Sequence, residues 1–172
     1  MNNKEIAQVL QEIAELMELK GDNPFKIRAY YNGARIIDGL SQEIAQIVKE
    51  GTLREIKGIG EGLASTITEL VQKNKSAVHQ ELKKSLPKGI LSILSIPGLG
   101  PKRAKLLYDQ LKIKSIAELE KACHDNRLSK LDRFGEKSQS NILEAIKNFN
   151  KSAGSFLFSE AYEESEQYLQ YL

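Results

Sequence analysis

An all-α fold is what this sequence predicts, on three observations. Apolar residues recur at three- and four-residue spacing along nearly the whole chain. No segment sustains the apolar–polar alternation of a half-buried strand. A short glycine-bearing motif also recurs, each time just ahead of a helical stretch.

The opening helix carries Ile6, Val9, Leu10, Ile13, Leu16 and Met17 on one face and stops at Gly21. Asn23 is positioned to cap the next, with Pro24 in its first turn and Phe25, Ile27, Ala29, Tyr30, Ala34 and Ile37 following. Ser41 is read as the cap of a third stretch that runs to Gly51 and turns Ile44, Ile47 and Val48 inward. Further helices are expected at 61–73, 76–85, 101–111, 115–123, 136–149 and 155–171, and Ser115 with Glu118 has the spacing of a capping box.

Composition excludes more than it assigns. The 172 residues suffice for one domain or two small ones, and 41% apolar with 28% charged residues is ordinary for a soluble protein. No apolar run approaches a membrane span, and the opening Met1-Asn2-Asn3-Lys4-Glu5 has no signal-peptide core, so no membrane partner is expected. The lone cysteine, Cys123, suits a reducing cytoplasm. Cys123-His124 has no second ligand pair for zinc, and His79 and His124 read as incidental surface residues. The net charge of +2 is uneven: residues 1–90 carry +1, 91–150 carry +4 and 151–172 carry −3. A mildly basic middle permits a nucleic-acid partner without demanding one.

The repeat is more telling. Ile56-Lys57-Gly58-Ile59-Gly60 precedes one helical stretch, and Ile96-Pro97-Gly98-Leu99-Gly100 precedes another forty residues on. Leu131-Asp132-Arg133-Phe134-Gly135 is a degenerate third version with Arg133 in place of the first glycine. The break at Ser85-Leu86-Pro87-Lys88-Gly89 marks a boundary, so the expected domains are 1–85, 86–150 and an acidic C-terminal helix over 151–172.

A glycine hairpin at a helix start suits phosphate. The first turn leaves backbone N–H groups without intrahelical partners at the electropositive end of the helix dipole. Glycine leaves the approach open and tolerates the positive φ of a tight reversal. The intervening Ile59 or Leu99 is free to pin the hairpin to the core. Such contacts touch backbone, not bases, and predict binding without sequence preference. The alternative is a turn that only joins two helices; the repetition argues against it. A dinucleotide site fails because Gly58-x-Gly60-x-Gly62 has the wrong spacing and no strand precedes it.

Several longer stretches carry a family likeness: Asn23 to Tyr30, Ile56 to Gly60, Leu86 to Gly89, Ser95 to Lys102 and Arg133 to Lys137. On these the chain resembles, from about Asn3 to Phe149, the amino-terminal part of bacterial family X DNA polymerases, the group that includes vertebrate polymerase beta. The resemblance implies a lyase-type domain with the first hairpin and a second subdomain with the next, together gripping gapped, nicked or duplex DNA in repair. The open hairpins are expected to contact DNA at Gly58, Gly60, Gly62, Gly98 and Gly100, with Lys102, Arg103 and Lys105 nearby, and the resemblance adds Lys26 and Tyr30. It also implies a monovalent cation, Na⁺ or K⁺, held by the carbonyls of Arg54, Ile56 and Ile59 and by those of Leu94, Ile96 and Leu99. Lys26 and Tyr30 match positions near the 5′-phosphate and the abasic sugar.

Two departures limit the implied chemistry. No Asp-x-Asp occurs, and the chain leaves no room for the palm domain whose carboxylates hold catalytic metals, so no nucleotide incorporation is expected. Thr66 stands at the position of the family's Schiff-base lysine, and a hydroxyl forms no imine. No catalytic residue is therefore assigned. The leading expectation is a DNA-binding region, monomeric and placed at the nucleoid. The alternatives are a stand-alone 5′-deoxyribose phosphate lyase with a relocated lysine, or a protein-interaction module using the acidic stretch Glu160–Glu166.

Overall fold

A computed structural model describes residues 1–151, and among them every regular element is helical. The order is α1 (Asn3–Lys20), α2 (Pro24–Asp38), α3 (Ile44–Glu50), a 3-10 turn (Leu53–Glu55), α4 (Glu61–Lys73), α5 (Ala77–Ser85), α6 (Lys88–Leu94), α7 (Pro101–Leu111), α8 (Ile116–His124) and α9 (136–151). The expected helix at 155–171, and the acidic stretch within it, lie outside the described residues. None of the described helices is long and apolar enough to cross a membrane.

Among the described residues two compact units emerge: Met1–Lys88 with Gly100–Leu106, and Gly89–Leu99 with 107–151. The dividing line thus falls a few residues after the expected 85/86 boundary, and the first turns of α7 group with the first unit.

In the first unit, α1 and α2 form the main helix pair. Ile6, Leu10, Ile13 and Met17 from α1 and Ile27, Ala34 and Ile37 from α2 are buried, joined by Leu63, Ile67 and Leu70 from α4. Each such Ile, Leu or Met side chain contributes about 1.5–3 kcal/mol by leaving water. Gly33 lets α2 and α4 approach, since a methyl there would strike the Leu63 side chain. Phe25 departs from its expected place, standing out at 76% exposure beside an exposed Ala29.

Capping in this unit departs from expectation at α3. Asn2 and Glu5 close a full capping box at the start of α1. Ser41 does not cap α3: the N-cap is Glu43, whose side chain makes no cap bond. The cap comes from α1, where Asn3 Oδ1 accepts from Ile44 N at 2.7 Å while Asn3 Nδ2 donates to Gln42 O at 2.9 Å.

His79 is no incidental surface residue. Its side chain is 15% exposed, and Nε2 lies 2.9 Å from Glu12 Oε2 on α1, off the line of a proper hydrogen bond. Lys83 Nζ holds the other Glu12 oxygen at 2.8 Å. Burial pushes the His79 imidazole below its ordinary range, with Glu12 opposing and Lys83 assisting. A depressed folded value means that the stability from neutral His79 is complete above the unfolded pKa, about 6.5. It is lost as pH falls through the lower folded value. Urea denaturation of the wild type and His79→Gln across pH 5–8 should show a stability difference that shrinks on acidification; a constant difference would refute the assignment.

The second unit is built on Ile90, Ile93, Ile96, Leu107, Ile113, Leu119, Leu128, Ile142 and Ile146, all buried. Gly89 lies in the first turn of α6, a helix not expected from sequence, where a Cβ would collide with the backbone carbonyl of Lys114. Ser115 caps α8 by accepting from Glu118 N at 3.2 Å, but Glu118 turns to Lys114 N at 2.7 Å, so the expected box closes one residue early. Gln139, buried on α9, accepts from Ser129 N and donates to Asn126 Oδ1. Burial pushes the Cys123 thiol up to about 11, which makes it unreactive at neutral pH.

Candidate nucleic-acid interface

The three repeats adopt one local geometry. Ile59 N donates to Ile56 O at 3.0 Å, Leu99 N to Ile96 O at 3.0 Å, and Phe134 N to Leu131 O at 3.1 Å. Each closes a turn whose third residue has positive φ: 98° at Gly58, 86° at Gly98 and 71° at Arg133. This is the requirement of a type II turn, which glycine meets without strain. Arg133 meets it at a cost of order 1–3 kcal/mol. The third copy is therefore degenerate in sequence while keeping the backbone of the other two. The apolar residue closing each turn, Ile59, Leu99 or Phe134, is buried and pins the hairpin.

The second glycine of each motif begins the next helix. Ala64 N donates to Gly60 O at 2.9 Å, Ala104 N to Gly100 O at 3.0 Å and Gln139 N to Gly135 O at 3.0 Å. Gly60 has φ −81° and ψ 172°, extended backbone open to any residue. A Cβ at Gly60, Gly100 or Gly135 would meet nothing within 4 Å. Internal packing thus gives no reason for glycine here, and Ser, Asp or Asn would cap these helices better. No side chain caps α4. What glycine leaves is an exposed first turn with unobstructed amides.

Charge at α7 points the same way. Its first turn carries Lys102 and Arg103 with Lys105 close behind, and no acid. Cations at a helix N-terminus oppose the dipole, by about 0.3–1 kcal/mol each. An anion docked there reverses that sign. Lys102 Nζ reaches Glu18 Oε1 at 3.7 Å with its side chain 74% exposed, a pair too long and too wet to hold it firmly.

The remaining sequence-expected residues divide. Lys26 is exposed on α2, and Gly62 lies open in the first turn of α4. Tyr30 is a correction: it is 4% exposed, and its hydroxyl lies 2.9 Å from Thr66 Oγ1. Thr66, 3% exposed, also donates to Gly62 O at 3.1 Å. The pair closes the α2–α4 crossing, so Tyr30 packs in the core and presents nothing to a strand. Of the carbonyls expected around a monovalent cation, Ile56 O and Ile96 O already accept the turn N–H and keep one lone pair each. Backbone oxygens suit such a hard ion. Among the described residues, no three His, Cys, Asp or Glu side chains gather as a metal site.

A helix-hairpin-helix domain family matches residues 1–76, and a SAM-like helix-hairpin-helix tandem family matches residues 90–148. The chain is 35% identical over 156 residues, 91% of its length, to "DNA polymerase/3'-5' exonuclease PolX" of Bacillus subtilis. Over this stretch the chain is similar to one part of a polymerase X protein. The chain spans 27% of the length of the Bacillus protein. Shorter matches reach DNA ligases: 42% identity over 66 residues in Limosilactobacillus reuteri, covering 38% of this chain and 10% of that one. In Clostridium tetani the match is 33% over 110 residues, covering 61% and 15%.

Proposed function

We propose that the chain binds DNA through backbone phosphates, without sequence preference, as the DNA-gripping region of a family X polymerase acting in repair. One observation carries this: Gly60 and Gly100 leave open helix starts where no internal contact calls for glycine. The PolX and ligase relatives, whose names state work on DNA, support the same partner. Gapped or nicked duplex is the preferred form, because two hairpins suit two flanking segments. The chain works as a monomer, on nucleoid DNA in the cytoplasm. A monovalent cation at the carbonyls of Arg54, Ile56 and Ile59, and of Leu94, Ile96 and Leu99, would neutralise charge between hairpin and phosphate.

The hairpins with Lys102, Arg103 and Lys105 give about 3–6 phosphate contacts, so log affinity should fall against log salt with a slope of about −3 to −5. Titration of fluorescent gapped and intact duplexes between 50 and 300 mM salt reads this slope. A slope near zero, or strong preference among sequences of equal length and form, overturns the proposal.

A further inference from the structure

We propose that the C-terminal end of α1 is an autoinhibitory decoy: in the free protein the Glu18 carboxylate occupies Lys102, and a DNA phosphate must displace it to engage the second hairpin. The inference rests on the DNA-binding reading above and adds a threshold to it. All the residues involved belong to the first unit. Glu18 Oε1 lies 3.7 Å from Lys102 Nζ, in the first turn of α7. The other oxygen, Oε2, accepts from the Tyr31 hydroxyl at 3.3 Å, so α2 holds the carboxylate in place. Burial, with Glu18 and Glu15 adding to it, pushes the Tyr31 phenol well above its ordinary range, so it remains a donor. Lys105 leans on the same helix end: a Cβ at Gly21, the C-cap of α1, would stand 3.3 Å from Lys105 Cε and Nζ. An ammonium suits that negative end of the helix dipole.

Charge makes the occupant temporary. A groove of about 480 Å³ is lined by Glu18, Tyr31, Arg35, Gly100, Lys102 and Arg103. Three cations face one carboxylate, so the groove stays net positive with Glu18 in place. The open amides begin on its wall, at Gly100, where a Cβ would meet nothing within 4 Å. An exposed pair of this length contributes little and yields to a better anion. A small anion free in solution competes poorly with a carboxylate that is already tethered. A strand held elsewhere on the chain presents its next phosphate at high effective concentration and displaces it. Glu18 thus favours a polyanion over a single phosphate at the second hairpin.

The test uses the full chain and a fluorescent blunt duplex. At 50 mM salt Glu18→Gln should tighten binding by about 2- to 5-fold, the range of one exposed ion pair. The gain should shrink toward one at 300 mM, where such pairs are screened. Glu15→Gln removes an equal charge one turn earlier on α1, where the carboxylate accepts from Gln11, and should change little. In a Lys102→Gln background Glu18→Gln should gain nothing, because the cation it held is gone. Carbodiimide, which joins a carboxylate to a touching amine as an amide, should link Glu18 to Lys102 in the free chain, and saturating duplex should suppress that link. Equal gains from Glu18→Gln and Glu15→Gln, a gain that persists without Lys102, or a link that survives saturation overturns the decoy. Weaker binding in Glu18→Gln also overturns it and makes Glu18 a positioning residue for Lys102. Failure of the wild type to bind duplex at any salt, with the link still formed, would sink the DNA-binding reading and the decoy with it.

Discussion

Gly100→Gln should weaken binding to duplex DNA by about 10- to 100-fold, the equivalent of losing one or two charge-assisted hydrogen bonds. The side chain would stand over the first turn of α7, where a phosphate has to approach the amides. The fold should survive, because a Cβ at that position meets nothing within 4 Å and the hairpin is pinned by buried Ile96 and Leu99. Circular dichroism and a melting temperature within a few degrees of wild type check the second half. A variant that unfolds would make the glycine structural; one that folds and binds normally would reduce the hairpin to a turn. Gly60→Gln should behave alike, and the double variant should lose roughly the product of the two factors, as two independent phosphate contacts would.

Thr66→Lys should destabilise the first unit by about 2–4 kcal/mol. It forces an ammonium into a site 3% exposed and strands the Tyr30 hydroxyl that now lies 2.9 Å from Thr66 Oγ1. Tyr30→Phe with Thr66→Val is the control, since removing both polar partners together costs far less than removing one. Urea midpoints compare the three chains, and equal stability of Thr66→Lys and wild type would show that the site opens easily. On incised abasic DNA the unmodified chain should give no borohydride-trapped adduct, because a hydroxyl forms no imine. Efficient trapping mapped to Lys26, Lys57 or Lys73 would contradict this and restore the lyase alternative.

The helices were legible because their signal is local. The faces of α1 and α4 follow from three- and four-residue spacing, and the turns from glycines with a required sign of φ. The failures concern information held elsewhere in the chain. The cap of α3 comes from Asn3, which no window around Ser41 contains. The α6 helix hid behind Pro87 and Gly89, both breakers by propensity, because its stability comes from burying Ile90 and Ile93. Tyr30 and Phe25 exchanged roles: the polar-tipped aromatic found a buried hydroxyl partner, and the apolar one was left outside. Arg133 looked like decay of the repeat, yet the backbone still takes the turn.

The Asn3 bridge also bears on the order of assembly. Helix α3 has only seven residues, too few to persist alone in water. Its first amide waits for an acceptor on α1, 41 positions earlier, so closing that loop precedes any cap. Helix α3 is thus a late-folding element whose stability is borrowed from the α1–α2 pair. The 3-10 turn and first hairpin follow it directly in the chain, placing the phosphate-facing loop downstream of the least self-sufficient helix in that unit. Local opening of α3 would loosen the hairpin without unfolding α1 or α2, giving the binding loop a softness that its own short turn does not contain.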